Sequence, residues 1–245
     1  MLTPILVSLA LIGIIALLVL SVRHTHLIRR DIRRAQRRSE AWAHLHQSIS
    51  PRIPLPLTTP WTASPELLVI LSGLIAEHTP RRVVELGSGF STLISAYTLE
   101  QHVEGGRVIA FDHEAQYAQA TRDMITAHGL TDRATVVHAP LDNTQTSLGE
   151  KPWYHTGALE AALEGEQIGL VLVDGPPGGT ASLARHPAFE KLKPFLAPDA
   201  LVVIDDSARD DEQKMIHHWR TLEQLEQRDH PVEKGVVVLR RGANA

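Results

Sequence analysis

The sequence predicts an α/β protein with a doubly wound, mostly parallel seven-stranded sheet, helices on both faces, and a single transmembrane helix in front of it. Two observations predict this fold. From about residue 61 onward, short apolar strands alternate with helical segments, which is typical of a parallel sheet covered on both faces. Near the N-terminus, a long apolar run is followed by arginines, which is the pattern of a membrane anchor.

The apolar run extends from Ile5 to Val22, and its length of about 18 residues suits the core of a bilayer. Because basic flanks stay in the cytoplasm, we expect a single-pass protein of the inner (cytoplasmic) membrane with its C-terminal domain in the cytoplasm. A buried soluble helix is the alternative, and it would have to place the flanking arginines against a core. These arginines are Arg23, Arg29, Arg30, Arg33, Arg34, Arg37 and Arg38.

The chain divides into an anchor (residues 1–22), a basic juxtamembrane segment with a proline-rich linker (23–60) and a globular domain (61–245). The basic segment is compatible with a helix near anionic headgroups. A nucleic-acid arm is the weaker alternative, and the net charge of −4 gives no general case for binding nucleic acid. The absence of cysteine excludes disulfides and cysteine nucleophiles. The 14 histidines are scattered, so surface positions are expected rather than a histidine metal cluster.

The elements of the domain follow in order. A helix begins at Ser64-Pro65-Glu66 with a cap, a proline in the first turn and an acid near the positive helix end, and it ends before Pro80. Further helices are predicted over residues 91–99, 114–128 and 189–196, and one that opens near Asp210. The predicted strands cover residues 82–86, 107–111, 134–138, 168–173, 201–204, about 227–232 and 236–239. Residues 142–157 and 178–186 are interpreted as loops.

Four of the strands end in an acid, namely Glu85, Asp112, Asp174 and Asp205. Ligands of parallel sheets bind outside the carboxyl ends of the strands, so four acids at one edge predict a functional site. Asp174 opens a loop rich in proline and glycine, residues 174–179, which we interpret as an active-site loop. A plain crossover turn is the alternative.

The first strand continues into the turn Gly87-Ser88-Gly89 and then a helix. Glycines let the backbone approach a ligand, and the helix N-terminus presents free N–H groups, so a nucleotide-sized ligand fits there. A dinucleotide fingerprint has a third glycine, and its acid comes about 20 residues later. Here the acid precedes the glycines and the third glycine is missing. Both features count against a nicotinamide-dependent oxidoreductase, which stays open as an alternative.

The segments 84–89, 111–113, 172–178 and 203–206 together resemble a class I S-adenosylmethionine-dependent methyltransferase, of the group labelled methyltransferase domain 24, with a Rossmann-like sheet. The resemblance covers about Trp61 to Arg241. It implies S-adenosylmethionine as cofactor and transfer of a methyl group to an oxygen or nitrogen of a small-molecule or lipid-linked acceptor. No specific nucleic acid is expected. A membrane-tethered, non-catalytic scaffold with the same fold is the other alternative.

The resemblance also implies roles for single residues. Glu85 would accept from the cofactor ammonium, directly or through water, and Asp112 would accept from both ribose hydroxyls. Asp174 would be the catalytic residue. The predicted cofactor-binding residues are Glu85, Gly87, Ser88, Gly89, Ser91, Asp112, His113, Ala139, Pro140 and Asp174. The candidates for the substrate side are Tyr154, His155, Arg185 and His186.

Asp174, Asp205 and Asp206 predict a site for a hard divalent cation such as Mg²⁺, because three carboxylates on adjacent loops repel one another without one. They resemble the magnesium positions of catechol O-methyltransferase-like enzymes, where Asp, Asp and Asn hold the metal, with Asp206 here in place of the asparagine. The lysine base of that family is missing, since Gly175-Pro176-Pro177 follows Asp174. Solvated loop acids are the alternative.

Overall fold

The computed structural model describes residues 2–57, 59 and 62–242, without the side chains of residues 2–10 and 12. The chain forms two compact units, residues 1–43 and 44–245. The predicted domain start at Trp61 lies outside the described residues. Residues 44–57 belong to the second unit, where Leu45 and Ile49 are buried and Arg52 pairs with Glu100 at 2.6 Å.

Helix α1 extends without interruption from Leu2 to Ile49, so the predicted anchor and the basic segment are parts of one helix. It exposes large apolar side chains, among them Leu17 and Leu18, which are 68% and 60% exposed. Among the described residues, none of the helices combines the length and apolar character needed to cross a membrane. The predicted transmembrane helix therefore gains no support here, and the side chains of its first residues lie outside the described part of the chain.

The second unit consists of helices and strands that alternate through most of its length. The helices are α2 (Pro65–His78), α3 (Phe90–His102), α4 (Ala115–Ala127), α5 (Thr156–Leu163), α6 (Pro187–Leu192) and α7 (Asp210–Leu222), with a 3₁₀ turn at Lys193–Phe195. The strands are β1 (Arg82–Leu86), β2 (Arg107–Asp112), β3 (Ala134–His138), β4 (Leu141–Thr146), β5 (Gly149–Tyr154), β6 (Ile168–Val173), β7 (Leu196–Asp205), β8 (Leu225–His230) and β9 (Val236–Arg241).

Seven strands form one sheet in the order β3-β2-β1-β6-β7-β9-β8. The first five of these are parallel, and β9 is antiparallel to both β7 and β8. The mostly parallel seven-stranded sheet is thus confirmed. Four consecutive residues at the end of β1 and four at the end of β6 are buried, and such continuous burial requires cover on both faces. The strand order reverses between β1 and β6, where ligands of such sheets bind.

The region between β3 and β6 differs from the prediction. Residues 142–157, interpreted as a loop, form the two-stranded hairpin β4–β5 and the start of α5. Strand β4 reads Leu-Asp-Asn-Thr-Gln-Thr, which carries no apolar alternation that a period-two search could detect. The hairpin is held instead by its own antiparallel pairing and by Trp153 and Tyr154, which are buried.

Strand β7 begins at Leu196, five residues before the prediction, and the preceding helix ends at Leu192. The added residues include Pro198 and Asp199, which lie in a register irregularity where Ile168 pairs with Leu196 and Leu170 with Leu201. An irregularity of this kind lets a strand continue through residues that would otherwise end it.

Candidate active site

The turn after β1 has the backbone that its glycines allow. Gly87 has a φ of +102° and Gly89 a φ of +144°, conformations that side chains disfavour. The Gly87 N–H donates to the Phe111 carbonyl at 2.9 Å, and a Cβ on Gly87 would lie 3.6 Å from the backbone carbon of Asp174. The turn therefore lies between the ends of β2 and β6, as the parallel sheet predicts.

Glu85 is buried below this turn rather than exposed to a ligand. Its carboxylate accepts from the hydroxyls of Ser91, Thr92 and Ser95 at 2.9, 2.8 and 2.6 Å. Burial raises the pKa of Glu85, although the three hydroxyl bonds oppose that change. These hydroxyls are the partners of Glu85 among the described residues, and its contact with the cofactor ammonium, directly or through water, stays a prediction. Glu85 and the Ser91 side chain therefore tie β1 to the first turns of α3 and fix the shape of the glycine turn.

Asp112 ends β2 and holds the other side of the turn. Its Oδ2 accepts from the Ser88 hydroxyl at 2.6 Å and from the Ser88 N–H at 3.2 Å, and its Oδ1 accepts from the Glu114 N–H at 3.0 Å. The side chain is buried, and its neighbour His113 lies 3.7 Å away through Nδ1. The Ala139 N–H donates to the Asp112 carbonyl at 2.8 Å. The structure thus brings together Ser88, Asp112, His113 and Ala139 of the predicted cofactor residues, while Pro140 follows at an exposed position.

The predicted metal residues Asp174, Asp205 and Asp206 also converge, with one carboxylate oxygen of each within 4.8 Å of the others. A cation of the chain already lies among them. Arg185 Nη2 is 3.3 Å from Asp174 Oδ1 and 3.2 Å from Asp206 Oδ2, and Nη1 is 3.7 Å from Glu212 Oε1. The guanidinium also donates to the backbone carbonyls of Asp174 and Asp205, both at 3.0 Å. Arg185 is 4% exposed, so it is an internal counter-ion of the acid cluster.

Two further cations face the same cluster from its exposed side. Arg209 Nη2 is 2.9 Å from Asp206 Oδ2, and Lys234 Nζ is 3.8 Å from Asp206 Oδ1. Together with Arg185 they give three positive charges against four carboxyl groups. Burial and the neighbouring Asp205 raise the pKa of Asp174 to about 8. With Asp174 protonated at pH 7, the cluster is close to neutral.

This charge balance bears on the predicted Mg²⁺. Repulsion among unpaired carboxylates was the reason to expect a metal, and Arg185 relieves that repulsion. Its Nη2 lies between one carboxylate oxygen of Asp174 and one of Asp206. One oxygen of the group, Asp205 Oδ1, is buried without a hydrogen bond from the described residues. With Arg185 in place, repulsion among these carboxylates no longer calls by itself for a divalent cation.

Tyr154 lies between the two halves of the site. Its ring is 6.2 Å from that of His113, and a Cβ on Gly175 would overlap its Oη. The hydroxyl is buried and has no hydrogen-bond partner among the described residues. Burial, followed by the charge of Asp112, raises the pKa of Tyr154 well above its usual value, so the phenol keeps its proton. Sequence reasoning named Tyr154 only as a substrate-side candidate, because its position depends on a hairpin that no sequence pattern predicted.

The arrangement is consistent with what is found by comparison with known proteins. A family model described as a methyltransferase domain matches residues 84–207. No curated protein sequence matches the chain significantly.

Solved structures with the same fold include an SAH-bound methyltransferase of Podospora anserina, with 15% identity, a TM-score of 0.58 and coverage of 83% of this chain and 87% of that one. An O-methyltransferase of Bacillus cereus in complex with SAH gives 19% identity, a TM-score of 0.55 and coverage of 83% and 91%. A methyltransferase of Geobacter sulfurreducens gives 18% identity, a TM-score of 0.53 and coverage of 83% of this chain and 96% of that one. At these identities the likeness shows the fold.

Proposed function

The chain belongs to the methyltransferase domain family, within the class I S-adenosylmethionine-dependent methyltransferases, and from this premise we propose that it transfers a methyl group from S-adenosylmethionine to an oxygen or nitrogen of a small-molecule or lipid-linked acceptor. One observation carries the proposal. At the point where the strand order reverses, the glycine turn, Asp112 and the acid cluster around Asp174 meet at the same edge of the sheet.

The cofactor would be held at the ends of β1, β2 and β3. The turn from Gly87 to Gly89 leaves room for it, Asp112 supplies a carboxylate for the ribose hydroxyls, and His113 and Ala139 would flank the adenine. When bound, the cofactor supplies a sulfonium methyl group, which is already a strong electrophile. The chain therefore has mainly to align the acceptor with it and to remove a proton.

The proton would be taken by Asp174. Its side chain is 24% exposed, so an acceptor can reach it. Its pKa of about 8 makes its ionised form a stronger base than an ordinary carboxylate, and the ionised fraction, which is minor at pH 7, rises with pH. Arg185 holds the Asp174 carboxylate through Oδ1 and leaves Oδ2 for the acceptor. Because Arg185 balances the acids, we propose that the transfer needs no divalent cation.

Calorimetric titration with S-adenosylhomocysteine tests the cofactor site. Asp112→Asn should weaken binding by about 10- to 100-fold, because charge-assisted hydrogen bonds contribute roughly 1.5–3 kcal/mol each. Asp142→Asn is the matched control, since Asp142 is an exposed aspartate on the hairpin, and it should bind as wild type does. Unchanged affinity in Asp112→Asn would refute the assigned site.

The same titration separates the alternative functions. Binding of NADH rather than of S-adenosylhomocysteine would support an oxidoreductase, and binding of neither compound would support a scaffold. A methyltransferase should bind S-adenosylhomocysteine and ignore NADH.

Membrane attachment is a separate proposal, based on the apolar run of residues 5–22 and the arginines after it. The exposed leucines of α1 support it, since exposed apolar side chains in a row mark an interaction site. A reporter fused after Ala245 should behave as cytoplasmic and membrane-bound. Recovery of the fusion in the soluble fraction, or its digestion by protease added outside the cell, would contradict this topology.

A further inference from the structure

A second group of metal-ligating side chains lies in a different part of the second unit. One ligand atom from each of His186, Glu190 and His218 lies within 4.8 Å of the other two. His186 and Glu190 stand four residues apart at the start of α6, and His218 is on α7. The scattered distribution of the histidines did not predict this group, because His186 and His218 are distant in the chain.

The spacing within the group suits a tetrahedral ion. His186 Nε2 is 3.4 Å from Glu190 Oε1. Two ligands bound to zinc at roughly 2.0–2.2 Å in tetrahedral geometry are about 3.3–3.6 Å apart. The two atoms therefore already have the separation that shared coordination requires.

His186 provides an independent sign that a ligand is needed. Its ring is fully buried, and neither nitrogen has a hydrogen-bond partner among the described residues. A buried polar atom is normally satisfied, and a metal ion would satisfy Nε2.

Ser147, in the turn of the β4–β5 hairpin, completes the surroundings of the group. Its Oγ lies 2.5 Å from Glu190 Oε1 and 2.9 Å from His218 Nε2. Its N–H donates to Glu190 Oε2 at 2.9 Å. The backbone bond holds one carboxylate oxygen and directs the other toward the histidines, as groups around metal ligands commonly do.

We propose that His186, Glu190 and His218 bind one transition-metal ion of the zinc class, with Ser147 holding the ligands by hydrogen bonds and the fourth position left to water. Two imidazoles and one carboxylate form a ligand set that zinc accepts, whereas magnesium requires oxygen ligands. The ion links α6 to α7. Since Arg185 directly precedes His186, the ion also fixes the segment that carries the counter-ion of the acid cluster.

The test uses the full chain without an affinity tag. Dialysis against a chelator removes any bound metal beforehand. Titration with ZnCl₂ should show one saturable equivalent, and Co²⁺ should give the intense visible absorption of a tetrahedral site. His218→Ala and Glu190→Gln should each weaken zinc binding at least about tenfold and abolish that absorption. His217→Ala is the matched control, because His217 is the exposed neighbour of His218 on the same helix, and it should retain both signals.

Both test variants change partly exposed side chains, so they should fold, and equal metal-free Tm values check this. Zinc should raise the Tm of wild type and of His217→Ala but not that of His218→Ala, because a ligand that binds only the folded state stabilises it. Wild-type zinc affinity in His218→Ala, an octahedral cobalt spectrum, or no saturable binding in wild type would each overturn the proposal. None of these outcomes depends on methyl transfer, so the two proposals stand or fall separately.

Discussion

Replacing Arg185 by methionine provides a direct test of how the acid cluster is balanced. Methionine keeps the length and the apolar stem of the side chain but removes the guanidinium. Asp206 and Glu212, at 3.2 and 3.7 Å from that group, then lose their buried cation. The backbone carbonyls of Asp174 and Asp205 lose their donors as well.

The expected cost follows from burial. Removing one partner of a buried charge pair typically destabilises a protein by about 3–5 kcal/mol, because the other charge stays behind in a poorly solvated place. That is a large part of the roughly 5–15 kcal/mol by which native domains are stable. The loss should be smaller at pH 5.5 than at pH 8, since burial raises the pKa of Glu212, and this carboxyl group takes up a proton more readily at the lower pH.

Urea unfolding of the full chain, followed by circular dichroism at both pH values, measures this loss. Arg209→Met is the matched control. Arg209 contacts the same Asp206 oxygen at 2.9 Å, but its side chain is 50% exposed, so its removal should cost only about 0–1 kcal/mol. Repeating the unfolding in the presence of Mg²⁺ gives a second test. Mg²⁺ should leave the stability of wild type unchanged and restore part of the stability of Arg185→Met, because in the variant the position of the guanidinium is free.

Two results would refute the reasoning. If Arg185→Met loses no more stability than Arg209→Met, the guanidinium is not the main counter-ion. If Mg²⁺ stabilises wild type as much as it stabilises the variant, the metal and Arg185 do not compete, and the cluster is a magnesium site after all.

The remaining predictions concern the two residues that follow β6. Gly175→Ala should lower the stability and weaken S-adenosylhomocysteine binding, because its Cβ would overlap Tyr154 Oη; the double variant with Tyr154→Phe should recover part of the loss, and no recovery would place the strain elsewhere. Asp174 has a folded-state pKa of about 8 against about 3.9 in an unfolded chain, so the folded state binds the proton more tightly and wild type should lose stability as the pH rises between these values. In Asp174→Asn the free energy of unfolding should fall less steeply with pH than in wild type, by up to about 1.4 kcal/mol per pH unit. Urea unfolding at pH 5.5 and 8 measures this difference, and parallel pH profiles for the two proteins would contradict the raised pKa.

The sequence alone was sufficient for the parts of this protein that depend on local pattern. Apolar runs located β1, β2, β3 and β6 to within a residue, since a buried parallel strand is a continuous stretch that needs no distant information. The turn from Gly87 to Gly89 was readable because its conformation requires glycine. Parallel topology then placed Asp112, Asp174 and Asp205 at one edge of the sheet, so their position at that edge followed from the order of strands and helices along the chain.

Only the tertiary structure decided how these groups are balanced. Arg185 lies 11 residues from Asp174 and 21 from Asp206 in the chain, and no local pattern pairs a loop arginine with carboxylates at the ends of two strands. The hairpin that carries Ser147 and Tyr154 is likewise held by cross-strand pairing rather than by a periodic sequence. Sequence periodicity records which side of an element is buried, whereas the partner of a buried charge is set by how distant segments pack, and here one such partner is Arg185.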